Sequence, residues 1–144
     1  MTRFSDFANT LKASDIAELL ALTEKPEVIS FAGGLPAPEL FPIDEMKQVD
    51  TAIYETEGRQ AVQYGTTEGY VPLRKQIAQR MKDKFFVDCK AEDIVVTTGS
   101  QQALFILSQI LVNADETIAM ESPSYMGAIM AFNPTRPKYV EVPT

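Results

Sequence analysis

The 144-residue sequence predicts an α/β protein with a mostly parallel β-sheet. Strand-forming runs at 94–96, 116–120 and 138–142 alternate with segments whose apolar residues recur every three or four positions. A helix between two successive strands lets those strands run parallel, so the order β-α-β-α-β implies a parallel sheet. The first run, Ile94 to Val96, is β-branched, as is typical of a buried strand.

Composition narrows the possible partners and the compartment. The net charge is −7, from 13 basic and 20 acidic residues, which argues against nucleic acid or an anionic membrane as the main partner. No apolar run approaches the roughly 20 residues of a membrane span, and the first residues have no signal-peptide core. The single cysteine, Cys89, cannot form an intrachain disulfide, which favours a reducing cytoplasm.

Histidine is absent from the sequence. Its absence excludes Ser-His-Asp and Cys-His catalysis and the usual zinc sites within these residues. Any chemistry must therefore come from a cofactor or from lysine, tyrosine and carboxylate side chains.

The beginning of the chain is predicted to hold a polar arm, a short helix and a rigid loop. The amphipathic helix covers about 14–25 and is stopped by Pro26. The loop 32–43 contains three prolines and the adjacent glycines Gly33 and Gly34. These glycines form a simple turn or expose backbone amides to a ligand, and the residues alone leave both readings open.

Two further helices flank a glycine-punctuated loop at 63–70. One is predicted from Asp44 to about Thr56, and the other begins near Pro72, a residue favoured in a first helical turn. The basic residues of the second helix, Arg74 among them, are predicted to form a solvated face. Apolar residues on both helices are expected to face a core: Met46, Val49, Ile53, Leu73, Ile77, Met81 and Phe85.

The stretch from Thr97 to Ala103 is the most informative turn. Gly99 and Ser100 join the first predicted strand to a helix with an apolar face over 103–111. Ligands of open α/β sheets bind at such turns, and a helix start offers free N–H groups and a positive dipole to an anion such as a phosphate. An ordinary N-cap at Ser100 explains the same residues. The turn has neither a G-x-G-x-x-G nor a G-K-[ST] pattern, so motif rules leave its ligand open.

Tyr125 follows the second predicted strand in a similar way. Ser122 is predicted as an N-cap and Pro123 as the first helical residue, which puts Tyr125 in the first turn of the next helix. A tyrosine at this place is either a packing residue or a ligand contact. Two turns of this kind follow two strands of one sheet, so a ligand contact at Tyr125 is as good an interpretation as a packing role.

Taken together, four segments resemble the amino-terminal part of a pyridoxal-phosphate-dependent aminotransferase of the aspartate-aminotransferase fold (fold type I). The branch is that of 2-aminoadipate and kynurenine aminotransferases. The matching segments are SFAGGLPAPELFP at 30–42, QYGTTEGYVPLR at 63–74, VTTGSQQAL at 96–104 and ESPSYMGAI at 121–129. The resemblance implies an amino-terminal arm, short helix and Gly/Pro substrate-side loop over 1–43. Residues 44–144 would be the first part of the cofactor-binding large domain.

The resemblance also implies a cofactor site for pyridoxal 5'-phosphate. Gly99, Ser100 and Gln101 would hold the cofactor phosphate at the start of the helix. Tyr125 would stack on the pyridine ring, because an aromatic face matches an extended heteroaromatic system.

Further residues would serve a homodimer and the substrate. Tyr64 would reach the cofactor phosphate of the neighbouring subunit, so that the site is shared between two copies. Gly33 and Gly34 would border the carboxylate end of the substrate. The implied reaction moves an amino group between an amino acid and a 2-oxo acid.

Three functional groups of the family are expected beyond residue 144. They are the Schiff-base lysine, the aspartate paired with the pyridinium nitrogen and the arginine that binds the substrate carboxylate. None of the lysines present lies in the family's S-x-S-K setting. We therefore predict that these residues are one part of a longer enzyme and do not transaminate alone. In the family's strand order the strand at 94–98 pairs with later strands, so its edges are expected to be exposed here.

Other readings remain open at this point. The chain could be a non-catalytic piece that binds cofactor or assists subunit assembly, or a nucleotide-binding α/β module, since strand-turn-helix phosphate sites are widely shared. A transcription regulator with an aminotransferase-like domain would carry a basic DNA-binding domain first, whereas this chain opens with the enzyme-type arm. Some relatives bind the acidic side chain of a substrate with a basic residue in the first helix. The stretch 15–18 has no basic residue, which argues against a dicarboxylic substrate.

Overall fold

Helices dominate the described part of the chain. The computed structural model describes residues 3–5, 8–9, 27–29, 31 and 34–144. Helix α1 spans Ile43–Ala61, α2 spans Val71–Phe85, α3 spans Gly99–Leu111 and α4 spans Met126–Phe132. Strands β1 (Thr117–Ser122) and β2 (Lys138–Pro143) form a two-stranded sheet, and short 3₁₀ turns occupy Pro38–Leu40, Ala91–Asp93 and Asn133–Thr135.

The first two helices begin close to the predicted residues, and α1 ends five residues later than predicted. Pro72 lies in the first turn of α2, as predicted. Helix α1 bends at Glu57, one residue after its predicted end at Thr56, where the backbone leaves helical values (φ −131°, ψ 17°). A further helical segment then continues to Ala61. The helix predicted over 14–25 lies outside the described residues.

Strands β1 and β2 are parallel, with Thr117 opposite Lys138 and Ser122 opposite Pro143. Helix α4 provides the crossover between them, as parallel pairing requires. The chain therefore has the predicted α/β class with parallel pairing, and both predicted strand positions at 116–120 and 138–142 are confirmed to within two residues.

The first predicted strand, at 94–98, is not part of this sheet. The N–H of Val96 donates to the carbonyl of Glu68 in the preceding loop (2.9 Å). Val95 and Val96 are exposed, so the prediction of a buried strand is wrong for this chain. A strand needs a partner as well as β-branched residues, and no strand of the described residues pairs with this segment.

Helices α3 and α4 pack through small residues. Ser108 of α3 is 2% exposed, and its hydroxyl donates to the carbonyl of Ala131 in α4 (3.2 Å). Ala128 and Ala131 are buried, and so is Gly127 beside them. Small side chains on the facing side let the two backbones approach closely, so the helix pair is fixed by directional bonds as well as by packing.

Large apolar side chains are mostly exposed. The periodicity indicates the helices correctly, but it specifies an apolar face and not what covers that face. The prediction of a buried position is therefore wrong for most of these residues in this chain, whereas Ile77 and Met81 are half-buried. The exposed ones are Met46, Val49 and Ile53 on α1, Leu73 and Phe85 on α2, and Phe105, Ile106, Leu107, Ile110 and Leu111 on α3.

Arg74 contradicts the predicted solvated face of α2. It is 9% exposed, and its guanidinium donates from Nε to Gly69 O (3.0 Å) and from Nη1 to Ala91 O (2.9 Å). A planar guanidinium presents several donors in a fixed arrangement, so one side chain joins two separate segments. The i, i+4 pattern of α2 does not reveal this, because both partners lie outside the helix.

The chain divides into two compact units, Met1–Gln63 and Tyr64–Thr144. The functional division into residues 1–43 and 44–144 stays a prediction. The site described next lies within the second unit. In the part of the chain that the structure describes, no helix is long and apolar enough to cross a bilayer.

Candidate functional site

A tight turn connects the segment at 94–98 to α3. Gly99 has φ +72°, a left-handed backbone conformation that favours glycine, and its N–H donates to Thr97 O (2.9 Å). Thr97 Oγ1 donates to Gly99 O (3.0 Å), and the N–H of Thr98 donates to Gln102 Oε1 (2.5 Å). These short-range bonds fix the path of the backbone into the helix.

The start of α3 suits an anion. The amides of Ser100 and Gln101 lie in the first turn, where no carbonyl one turn earlier can accept their hydrogens. That turn carries no acidic residue, and the 13-residue helix directs its positive dipole end to the same place. The N-cap is Thr98 rather than Ser100, so the reading of Ser100 as an ordinary N-cap is wrong.

The space in front of this turn is open. A Cβ placed on Gly99 would have no heavy atom within 4 Å. Ser100 is exposed, so its hydroxyl can add a donor beside the helix amides. Backbone amides, a hydroxyl and a helix dipole, with no acidic residue in the first helical turn, are the donor set that a phosphate group needs.

Tyr125 is the N-cap of α4 and not a residue of its first turn. The helix begins three residues later than predicted, because β1 continues to Ser122, which pairs with Pro143 and so cannot begin the helix. Tyr125 has an extended backbone (φ −68°, ψ 116°). The residue is 65% exposed to solvent. This exposure leaves surface of the residue available to a planar ligand.

Gln101 links the two elements. Its Nε2 donates to the carbonyl of Gly127, in the first turn of α4, at 2.8 Å. A Cβ on Gly127 would overlap the ring and hydroxyl of Tyr125, so the absence of a side chain at Gly127 makes room for that ring. The structure thus brings three predicted residues, Gly99, Gln101 and Tyr125, into one locality and adds Gly127, which the sequence analysis left without a role.

The loop at 65–69 supports the turn from behind. Its Thr66–Gly69 turn is closed by the Gly69 N–H bond to Thr66 O (3.0 Å). Gly69 has φ +102° and packs so closely on Val96 that a Cβ would lie 2.8 Å from two carbons of the valine side chain. Arg74 holds the Gly69 carbonyl in place. The segment that leads into the turn at Gly99 is therefore fixed by a loop and a buried cation.

The remaining predicted residues are Tyr64, Gly33 and Gly34. Tyr64 opens the second unit and is 99% exposed, which leaves its ring accessible. Gly34 belongs to the other unit, and a Cβ on it would meet nothing within 4 Å. Gly33 lies outside the described residues. The roles of Tyr64, Gly33 and Gly34 remain predictions.

Two pKa values in this unit depart from their ordinary range. The Asn113 backbone N–H (2.7 Å to Oε2) and then its side chain (3.2 Å to Oε1) lower the pKa of Glu116, which is fully exposed. Burial raises the pKa of Tyr139, whose hydroxyl donates to Asn133 Oδ1 (2.9 Å). Neither group belongs to the turn at Gly99.

Sequence reasoning missed three residues that shape this site. Gln102 and Gly127 lie in the segments 96–104 and 121–129, but the sequence does not show what they contact. Gln102 accepts a hydrogen bond from the Thr98 backbone, and Gly127 accepts one from Gln101 on another helix. Arg74 looks like one more basic residue of an amphipathic helix. A glycine two positions after an aromatic residue, on an otherwise apolar helix, is the signal that points to Gly127.

The sequence matches the family of class I and II aminotransferases over residues 27–144. It is 42% identical over 140 residues to aromatic-amino-acid aminotransferase 1 of Thermococcus litoralis, and 43% identical over 140 residues to 2-aminoadipate transaminase of Thermus thermophilus. Each alignment covers 97% of this chain and 34% of the relative. The chain belongs to the class I and II aminotransferase family.

A solved structure agrees with this assignment. The Pyrococcus horikoshii kynurenine aminotransferase, crystallised in complex with PMP, superposes with a TM-score of 0.88 at 36% identity. The superposition covers 97% of this chain and 34% of that one. The fold described above is therefore that of part of a fold-type-I aminotransferase, and the chain spans about a third of the length of the relatives it matches.

Proposed function

We propose that the protein acts as a pyridoxal-phosphate-dependent aminotransferase that moves an amino group between an amino acid and a 2-oxo acid. The observation that carries the proposal is the open, donor-lined turn at Gly99–Gln101, joined through Gln101 to the element that bears Tyr125. Membership of the class I and II family supports it. The donor set at this turn fits a phosphate, and the exposed ring of Tyr125 fits the flat face of a pyridine.

The residues of this chain would bind and orient the cofactor. The amides of Ser100 and Gln101 and the Ser100 hydroxyl would hold its phosphate, and Gly99 leaves the backbone accessible. Tyr125 would hold the plane of the ring. When bound, pyridoxal phosphate supplies an electron sink for the bonds at the substrate's α-carbon. The chain's own part is to fix that group in one orientation and to neutralise the phosphate.

Two further roles belong to the same proposal. Tyr64 would reach the phosphate held by a second copy of the chain in a homodimer, which its full exposure permits. Gly33 and Gly34 would border the substrate carboxylate. The cytoplasm is the proposed compartment, supported by the single cysteine.

Catalysis would need groups that we do not find among these residues. We propose that the lysine bonded to the cofactor, its partnering aspartate and the substrate-binding arginine are not contained in residues 1–144. The 144 residues alone would then bind cofactor without turning over. The stretch 15–18, which has no basic residue, argues against a dicarboxylic amino acid as the donor.

The direct test is titration of the protein with pyridoxal 5'-phosphate, followed by borohydride reduction and mass analysis. We expect saturable binding. A stable adduct on one specific lysine of residues 1–144 would contradict the proposal that the covalent partner is absent from them. Saturable binding of NAD or ATP without affinity for pyridoxal phosphate would instead favour a nucleotide-binding module.

Tyr125→Ala tests the ring contact. Loss of the aromatic face should weaken the affinity for pyridoxal phosphate by about tenfold, whereas Tyr125→Phe should retain it. Fluorescence titration measures both constants. An unchanged affinity in Tyr125→Ala would remove Tyr125 from the site.

A further inference from the structure

We propose that the side chain of Gln101 is a positioning residue for the ring of Tyr125 and not a ligand of the cofactor phosphate. The inference rests on the proposed function and deepens it. It separates two jobs within one residue: the Gln101 backbone amide faces the anion, and its side chain fixes the aromatic platform next to it.

This role rests first on the hydrogen bond that the side-chain amide of Gln101 makes to α4. Nε2 is the donor atom of the Gln101 side chain, and it lies 2.8 Å from the carbonyl of Gly127, which is 26 residues further along the chain. The other polar atom, Oε1, is an acceptor and would repel a phosphate oxygen. The side chain as it stands is therefore arranged to hold α4 and not to bind an anion.

Gly127 carries the second step. The ring of Tyr125 lies where a Cβ of Gly127 would be, so the ring packs directly against Gly127. The carbonyl of Tyr125 accepts the N–H of Ala128 at 3.0 Å, which ties the tyrosine backbone to the same helical turn. Holding the Gly127 carbonyl from α3 therefore fixes the ring relative to the turn at Gly99.

Ser108 provides a matched control. It also donates from α3 to an α4 carbonyl, Ala131 O at 3.2 Å, but it lies seven residues further along α3, away from Tyr125. Loss of this bond loosens the same pair of helices at the other end. A general effect of weaker helix packing would appear in both variants, whereas an effect on the ring would appear only at Gln101.

The experiment compares pyridoxal 5'-phosphate with pyridoxal, which lacks the phosphate, on the purified full-length protein. Gln101→Met keeps the length of the side chain and removes its donor. We expect the affinities for both compounds to fall by a similar factor, about two- to tenfold for one hydrogen bond. The ratio of the two affinities, which reports the phosphate contacts, should stay unchanged. Ser108→Ala should leave both affinities at the wild-type values.

The Tyr125→Ala background tests whether Gln101 acts through the ring. There, Gln101→Met should have no further effect on either affinity, because the group that it positions is gone. Additive losses would overturn the proposal. A fall in the ratio, with pyridoxal affinity unchanged, would also overturn it and would make the side chain a phosphate ligand.

A readout without ligand separates this inference from the proposed function. If the wild-type protein binds neither compound, the proposed function fails. The positioning role is then decided by hydrogen exchange at the Ala128 amide, which should become faster in Gln101→Met and stay unchanged in Ser108→Ala. Equal exchange in wild type and Gln101→Met would overturn the role of Gln101.

Discussion

Two regions of the second unit are held by polar side chains that donate to backbone carbonyls, but they use different chemistry. Behind the turn at Gly99, the buried cation of Arg74 joins Gly69 to Ala91. Between α3 and α4, the neutral groups of Gln101 and Ser108 make one interhelical bond each. The charged bonds are the stronger ones, since hydrogen bonds from ionised donors are about twice as strong as neutral ones.

The difference indicates that Arg74 serves the stability of the fold and that Gln101 and Ser108 serve the alignment of two helices. Arg74 holds a part of the chain that has no regular secondary structure. Among the described residues, the loop at 65–69 belongs to no sheet. Its backbone bond to the segment at 94–98 runs from the Val96 N–H to the Glu68 carbonyl. Gln101 and Ser108 only adjust two helices that already satisfy their own backbones. We expect changes around Arg74 to affect folding first and changes around Gln101 to affect binding first.

The sharpest test of this comparison is Arg74→Met. Removal of the guanidinium leaves two buried or half-buried carbonyls without their charged donor, and we expect the free energy of unfolding to fall by about 3–4 kcal/mol. Chemical denaturation measures the change. Arg80→Met, on the exposed side of the same helix, should change stability by less than about 0.5 kcal/mol. Equal effects of the two variants would mean that burial of Arg74 contributes nothing.

Gly69→Ala should have the next largest effect. The new Cβ would combine a left-handed backbone with an overlap on Val96, and we expect a loss of about 2–3 kcal/mol. Thermal unfolding compares it with Gly65→Ala in the same loop, where a Cβ meets nothing within 4 Å. A Gly65→Ala variant that is as unstable as Gly69→Ala would show that the loop is sensitive for another reason.

Ser108→Ala should cost about 1 kcal/mol, the net value of one neutral hydrogen bond. The single hydroxyl hydrogen is shared between Phe105 O in the same helix (2.7 Å) and Ala131 O in α4 (3.2 Å), so its removal takes this donor from both carbonyls. Denaturation with urea gives the difference. A loss as large as that of Arg74→Met would contradict the ranking of neutral below charged bonds.

Glu116→Gln should give the smallest effect, and one that depends on pH. The pKa of Glu116 is lowered from its ordinary value of 4.5, so its carboxylate stabilises the fold above that value and the contribution is lost as the pH falls towards the folded-state pKa. The melting temperatures of wild type and variant should differ near neutral pH and converge in acid. A difference that persists below the folded-state pKa would assign the effect to packing and not to charge.

Much of the fold follows from local sequence. Periodicity and proline positions predict α1 and α2, and alternation predicts β2, because these signals depend on neighbours in the chain. The segment at 94–98 shows the limit: its residues favour a strand, but a strand also needs a partner, and its own residues do not specify one. The exposed leucines and isoleucines of α3 show the same limit for burial.

The candidate site divides in the same way. Gly99 and Ser100 are predictable because a left-handed glycine and a helix start are local features. The bond from Gln101 to Gly127 and the contact of Gly127 with Tyr125 are not predictable from either segment alone. They exist because the fold brings the starts of α3 and α4 together, and a residue's partner across the fold leaves no spacing signal.

The left-handed backbone at Gly99 also limits how the gene can change at this position. Every single-base change that replaces glycine by another amino acid adds a side chain. Asparagine, which tolerates this backbone conformation, cannot be reached in one such step. Aspartate can be reached, but its carboxylate would occupy the amides of α3 itself and repel an incoming anion. A protein that binds an anion at this turn is therefore expected to retain glycine here over evolution. This holds although the space around Gly99 would accept a larger residue.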